Sequence, residues 1–456
     1  MSTEEFVRKN RDADVSTLAL HMRQYPEVDA AFALQQIEGW QRASQKLPEL
    51  AAIEGWLWPK RVSLEQCSSQ ATALYKKAVL EKWNILYSAK PHTISRAVEN
   101  GQSKIEGQLI DLTGGMGVDT FYLSEGFGEV HYVERNEELC RLAEKNFALA
   151  GKKVQVHCGD AEEWIKEFST KSEGLGHKGA DERVIFVDPA RRDAHGGKVF
   201  RLEECEPNVV ELLIILRTCA RRVLLKLSPM LDITAAVRSL GGAAEVHVVA
   251  VKNEVKEVLV LLEAGRDSLD PEITCVNLET EEEAFVFRKS EETLAMGLSP
   301  SEGKASTSSI EGLMEERDVI LVEPNGAIMK AGGWTCFGER YGLEELGPNS
   351  HLFCVPRDPR CMQESPKAVR RIYGYFCGKA GAEKLLPGRI FRVKIASKEE
   401  LKTLNQANVI CRNYPMSAEA LKKKLRVRDG GEKYVIATKI GSKPVLFWGV
   451  RQFLHN

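Results

Sequence analysis

The residues best able to do chemistry lie in Leu109-Ile110-Asp111-Leu112-Thr113-Gly114-Gly115-Met116-Gly117-Val118-Asp119. An apolar run ends on an acid, and a glycine-rich turn leads into a helix expected to begin near Val118. Glycines let a backbone approach a ligand closely, and a helix N-terminus offers N–H donors to a carboxylate or phosphate. Two further acids close the next two apolar runs, Glu134 and, in His157-Cys158-Gly159-Asp160-Ala161, Asp160. A fourth run, Val184–Val187, opens directly into Asp188-Pro189-Ala190-Arg191-Arg192-Asp193.

Two classes of nucleotide ligand use such a turn. Dinucleotides ask for Gly-x-Gly-x-x-Gly. Here Gly115-Met-Gly117-Val-Asp-Thr120 lacks the third glycine, and Asp111 would repel a pyrophosphate. The loop, with Thr113, Gly115, Gly117 and Asp119 as its candidate ligands, suits a cation instead, such as the amino and sulfonium groups of S-adenosylmethionine. Glu134 could then accept both ribose hydroxyls, and Asp160 could reach the adenine amine. Singly these acids would read as ordinary loop residues. Together, at successive strand ends of one parallel sheet, they fall where open α/β sheets bind ligands.

The elements that must position these residues follow from periodicity. Residues 101–265 alternate apolar runs with helix-length segments. The runs are Gln108–Leu112, Glu129–Glu134, Val154–Cys158, Val184–Val187, Arg222–Leu227, Glu245–Val251 and Glu257–Leu262. The first five imply βαβ crossovers and a parallel sheet. The last two are joined only by Lys252–Lys256, too short for a crossover, and should form an antiparallel hairpin. Residues 1–100 read as helical, through Ala30–Trp40 and Ala71–Leu86. Residues 266–375 carry the acidic run Glu281-Glu282-Glu283, a Ser/Gly-rich stretch Ser299–Ser309, a strand at Val319–Val322 and a helix from Ala327. Residues 376–456 should hold strands at Arg389–Ile395 and Ala407–Cys411, a helix from Ser397, a basic helix at Ser417–Leu425, and a closing hairpin of Lys433–Ile440 and Pro444–Val450 turning through Gly441-Ser442. Cys205 is expected inside a helix.

Composition bounds the partners. The chain has 456 residues, with 63 Lys+Arg against 65 Asp+Glu. That balance hides segregation. Residues 1–265 hold 34 basic and 39 acidic side chains, residues 266–350 hold 7 and 18, and residues 351–456 hold 22 and 8. A basic terminal region of this kind hints at a polyanion partner. The beginning of the chain lacks the apolar core of a secretory signal, and no run approaches the ~18 residues of a membrane span. Eleven cysteines without a Cys-x-x-Cys pair argue against a disulfide framework or zinc site, and no metal is expected. The expected location is the cytoplasm, with reduced thiols.

Asp-Leu-Thr-Gly-Gly-Met-Gly resembles motif I of the class I S-adenosylmethionine-dependent methyltransferases, in a form frequent among nucleic-acid enzymes. The resemblance implies a Rossmann-like sheet of five parallel strands plus a terminal antiparallel hairpin over 101–265, with S-adenosylmethionine held by Asp111, Thr113, Gly115, Gly117, Asp119, Glu134 and Asp160. In this fold the fourth strand end lies beside the transferred methyl. Amino-methylating members carry Asn/Asp-Pro-Pro-aromatic there, where side chain and backbone carbonyl accept an amine's hydrogen bonds and aim its lone pair. Asp188-Pro189 fits as the catalytic pair, but Ala190 and Arg191 replace the second proline and the aromatic. Arg191 and Arg192 could pair with phosphate or stack on a base. Carbon-5 pyrimidine methylation would need a cysteine here, and neither Asp188–Asp193 nor Lys226–Met230 holds one. Lys226 should lie near the site.

The flanks extend the resemblance to about 60–456. Ser63–Thr72, Glu323–Gly332, Pro387–Phe391, Arg412–Pro415, Leu421–Arg428 and Lys433–Val450 resemble a bacterial subgroup with a ferredoxin-like segment and an α+β THUMP-like module, and THUMP domains are associated with RNA, mostly tRNA. Lys422, Lys423, Lys424, Arg426 and Arg428 crowd one segment, near Lys433, Lys439 and Lys443, and could neutralise several phosphates. Arg357, Arg360, Arg370 and Arg371 would extend that surface. The expectation is methyl transfer to a base nitrogen of tRNA or rRNA. A small-molecule methyltransferase and an RNA-binding protein that retains the cofactor fold without turnover stay open.

Overall fold

The computed structural model describes residues 1–87, 105–173, 183–191, 201–298, 319–347, 349–355, 386–440 and 443–452. They fall into two compact units, Met1–Glu245 with Glu257–Leu269, and Val246–Lys256 with Asp270–Asn456.

The first unit is built on β1 (Ile105–Asp111), β2 (Phe127–Glu134), β3 (Gln155–Cys158), β4 (Arg183–Val187) and β7 (Arg222–Leu227), all paired in parallel in the order β3-β2-β1-β4-β7. All five residues of β4 are buried, as a strand covered on both faces by crossover helices requires. β9 (Glu254–Glu263), which belongs to this unit from Glu257 on, pairs antiparallel with β7; β8 (Glu245–Val251) precedes it in the chain and belongs to the second unit from Val246 on. The expected five parallel strands and reversed strand are therefore present. The β8–β9 connection is two residues, Lys252 and Asn253, rather than the five expected. Both have positive φ, 49° and 72°, so the turn twists with the strands and lets pairing run three residues further than the apolar pattern indicated.

Between β4 and β7, β5 (Ala190–Arg191) and β6 (Cys205–Glu206) form a separate two-stranded ribbon. Cys205 thus lies in a strand opposite Arg191, not in a helix. A 3-10 turn, Leu202–Glu204, directly precedes it, and Pro207 disfavours helical backbone at Glu206. The helix starts later, at Val209–Cys219, where the Asn208 side chain accepts from the amides of Val210 and Glu211.

The N-terminal segment is helical, including Ala30–Lys46, Arg61–Gln66 and Gln70–Tyr87. It packs as part of the first unit. Trp56, Trp58 and Leu64 share one buried cluster with Met116, Val118, Phe121, Tyr132 and Phe147 around the glycine turn.

The second unit includes β10 (Glu272–Leu278), β11 (Phe285–Phe287) and a seven-stranded sheet. That sheet runs β13 (Glu344–Glu345), β14 (Phe353–Cys354), β12 (Val319–Pro324), β15 (Gly388–Ile395), β18 (Lys443–Gln452), β17 (Lys433–Ile440) and β16 (Asn408–Cys411). β12 pairs antiparallel with β15 from Val319↔Val393 to Pro324↔Gly388. Residues 319–355 and 386–452 thus share one sheet and one buried core of Val319, Leu321, Leu352, Phe391, Val393, Ile436 and Phe447. The basic helix is Ala418–Leu425, capped by Ser417. Ser299–Ser309, the turn Gly441-Ser442, and Arg357, Arg360, Arg370 and Arg371 lie outside the described residues.

Candidate active site at the strand ends

The glycine turn is held from three sides. Asp111, fully buried at the end of β1, accepts from the Thr113 amide at 3.0 Å and the Thr120 hydroxyl at 2.5 Å. Glu134, at the end of β2, accepts from the Gly115 amide through Oε2 and the Asn136 amide through Oε1, both at 2.9 Å. The buried Tyr132 hydroxyl donates to the Gly115 carbonyl. Gly115 and Gly117 have φ of 56° and 85°, a region that side chains with a Cβ rarely enter. Around Gly115 a Cβ would meet nothing nearer than the Thr113 carbonyl at 3.9 Å, so one side of the turn is open; at Gly117 it would strike Phe147 at 2.8 Å.

Burial pushes Asp111 up to about 7, against the hydrogen bonds from Thr120 and Thr113. Its two oxygens are thus engaged by Thr113 and Thr120, and Asp119 on the following helix is engaged by Ser68 and Lys76. Thr113 joins two strand ends, because its hydroxyl accepts from the Asp188 amide at 2.6 Å. Glu134 is half-buried, and each of its oxygens keeps a second lone pair for a ligand hydroxyl. Asp160 caps the helix Ala161–Glu173, with Oδ1 accepting from the amides of Glu162 and Glu163 at 2.8 and 3.1 Å.

Asp188 lies just beyond β4, half-buried and followed by buried Pro189. Among the described residues its carboxylate is paired with Lys226 of β7 through Oδ2. Burial works against charge on Lys226, yet Asp188, Asp119 and Glu257 raise its pKa above the ordinary lysine value. Behind this pair is a second one. Lys76, fully buried on the helix Gln70–Tyr87, sits 2.7 and 2.9 Å from the two oxygens of Glu257 on β9 and 3.2 Å from Asp119. The Ser68 hydroxyl donates to Asp119 at 2.7 Å. Burial opposes ionisation of Asp119, but Lys76, Lys226 and Ser68 hold it below the usual carboxylate range. For Glu257 burial prevails over Lys76 and Lys226, and its pKa is raised.

Sequence reasoning missed Ser68, Lys76 and Glu257 as parts of this site. The signal was present for one of them: Ala73, Lys76, Leu80 and Trp83 are all buried, so a lysine stands on the apolar stripe of its helix. Arg191 lies on β5, with a side chain outside the described atoms, and Arg192 lies outside the described residues. In the second unit Lys423, Lys424, Arg426 and Arg428 are exposed, whereas Lys422 is half-buried and reaches Asp429 at 2.7 Å. No group of three potential metal ligands occurs among the described residues. No helix among them is long and apolar enough to cross a membrane. The nine described cysteines are free thiols.

These residues fit S-adenosylmethionine: an open glycine turn, a strand-end carboxylate with spare lone pairs, and an acid capping the next helix. Known proteins agree. A THUMP domain-like model matches residues 388–451 and a ferredoxin-like domain model matches 321–357. Proteins from two strains of Mycobacterium tuberculosis, CDC 1551 / Oshkosh and H37Rv, are each 25% identical over 266 residues. Both are called uncharacterised S-adenosylmethionine-dependent methyltransferases. The match spans 58% of this chain and 63% of each relative's length. A crystal structure of a proposed methyltransferase from Porphyromonas gingivalis W83 superimposes with a TM-score of 0.71 at 28% identity, covering 99% of this chain and 98% of that one. The chain thus has the fold of the class I S-adenosylmethionine-dependent methyltransferases, extended by ferredoxin-like and THUMP-like regions.

Proposed function

We propose that the chain transfers methyl from S-adenosylmethionine to a base nitrogen of structured RNA, tRNA or rRNA, in the cytoplasm. The observation that carries this reading is the placement of Asp188. Its amide is tied to Thr113 of the glycine turn and its carboxylate to Lys226, so it is fixed beside the loop that suits the cofactor. When bound, the cofactor supplies an electrophilic methyl. Gly115, Gly117, Glu134 and Asp160 hold its nucleoside and amino-acid portions, while Asp111, Thr113 and Asp119 keep the loop in shape. Asp188 and the Pro189 carbonyl orient the acceptor, a positional contribution.

RNA is supported by the THUMP-like match and by the exposed Lys423, Lys424, Arg426 and Arg428. In this reading those residues, Lys422, Arg191 and Arg192 supply affinity for phosphate. Binding of purified protein to tRNA, followed across a salt series, tests it. A steep linear fall of log affinity with log salt is expected; absent or salt-insensitive binding contradicts it.

A further inference from the structure

We propose that the methyl acceptor is an acidic X–H group, one that gives up its proton as it attacks, and not an exocyclic amine. This rests on the methyltransferase reading of the same site and names its substrate class. Two chemistries share the property, a lactam or imide ring N–H and a ribose hydroxyl.

The Lys226 ammonium stands against Asp188 Oδ2. The other charges facing Lys226 are Asp119, from the helix after the glycine turn, and Glu257, from β9, and both are also engaged by Lys76. The cation is therefore fixed in place, with 12% of its side chain exposed. An exocyclic amine attacks as a neutral group and becomes positive as the nitrogen–carbon bond forms. A fixed ammonium beside it opposes that change. A ring N–H or hydroxyl behaves oppositely. Its proton moves to Asp188 Oδ1, negative charge develops on nitrogen or oxygen, and a preorganised cation stabilises it without reorganisation. The new bond forms from X to the methyl carbon, the carbon–sulfur bond breaks, and its electron pair stays on sulfur, leaving a neutral thioether. Asp188, with 36% of its side chain exposed, then passes the proton to water.

The backbone provides an independent reason. In the amine-binding pattern the residues after Asp-Pro supply a second proline and an aromatic platform. Here Ala190 and Arg191 take those two sequence positions and pair with Glu206 and Cys205 in a ribbon.

The test uses the full chain, labelled S-adenosylmethionine, and total RNA from cells lacking this protein, with the product digested to nucleosides. Label in N1-methylguanosine or N3-methyluridine supports the proposal through a ring N–H. Label in 2′-O-methyl nucleosides supports it through a hydroxyl and overturns only the base-nitrogen assignment. Label in N6-methyladenosine, N2-methylguanosine or N4-methylcytidine overturns the proposal and leaves the RNA methyltransferase reading standing. No label in any RNA overturns both. Lys226→Met should lower kcat by about 10²–10³ with cofactor Kd unchanged, and Lys226→Arg should restore most of it. A Lys226→Arg variant as slow as Lys226→Met, with the cofactor still bound, would contradict a role for the charge.

Discussion

Lys76 and Glu257 are 181 residues apart in sequence, yet the ammonium lies within 2.7 and 2.9 Å of both carboxylate oxygens, with side chains 0% and 3% exposed. The pair ties the N-terminal helix Gln70–Tyr87 to β9 directly behind the Asp188–Lys226 pair. The N-terminal segment is thereby part of the structure that shapes the proposed acceptor site.

Removing one partner of such a pair strands a buried charge, so Lys76→Met should cost about 3–5 kcal/mol. Lys76→Met combined with Glu257→Gln should recover part of that loss, because the two sites share one interaction. Chemical denaturation measures both. A single-variant cost below about 1 kcal/mol would show the pair to be immaterial.

Asp111 gives a pH prediction of definite sign. Its folded pKa, about 7, is above the ordinary aspartate value of 3.8. Between those values the folded state binds a proton that the unfolded state has released, so stability falls as pH rises through the window and is flat above it. The slope is at most about 1.4 kcal/mol per pH unit. Asp111→Asn keeps an acceptor for Thr113 and carries no proton to lose. The stability difference between wild type and Asp111→Asn should therefore shift against wild type from pH 4 to 7. Parallel profiles in denaturant titrations would exclude this ionisation.

Glu134 organises Gly115 and, in the proposed site, the cofactor ribose. Losing hydrogen bonds to a charged group typically costs about 1.5–3 kcal/mol. Glu134→Ala should weaken S-adenosylmethionine binding by roughly 10–100-fold, and Glu134→Gln by less. Calorimetric titration decides; unchanged affinity would remove Glu134 from the cofactor site.

Reversing Lys423, Lys424 and Arg426 to glutamate should weaken tRNA binding and reduce the salt slope by about one for each phosphate no longer neutralised. All three are exposed, so cofactor affinity should hold. An unchanged slope would place RNA on another surface.

Much of the first unit was legible because its signals are local. The strand-end acids Asp111, Glu134 and Asp160, the turn glycines and the run into Asp188 each follow from short apolar segments and turn residues. Less legible was what each acid does. Asp111 and Glu134 are both strand-end carboxylates, but one is buried to brace Thr113 and Thr120 and the other is half-buried. That distinction lies in burial and in partners, Thr113 and Thr120 for Asp111 against Gly115 and Asn136 for Glu134. The Lys76–Glu257 pair and the β12–β15 pairing join distant segments and leave no short pattern, apart from a lysine on an apolar helical stripe. Cys205 was misplaced because Pro207 delays the helix to Val209.

In the proposed reaction Asp188 stands where methyl is transferred. Wild type and Asp188→Ala, incubated with labelled S-adenosylmethionine and RNA from cells lacking this protein, test it directly. Wild type should label RNA, while Asp188→Ala should bind the cofactor equally and transfer at least about 100-fold more slowly, the usual scale for a positioned proton acceptor. Equal transfer by both proteins, or no label with wild type, would contradict it.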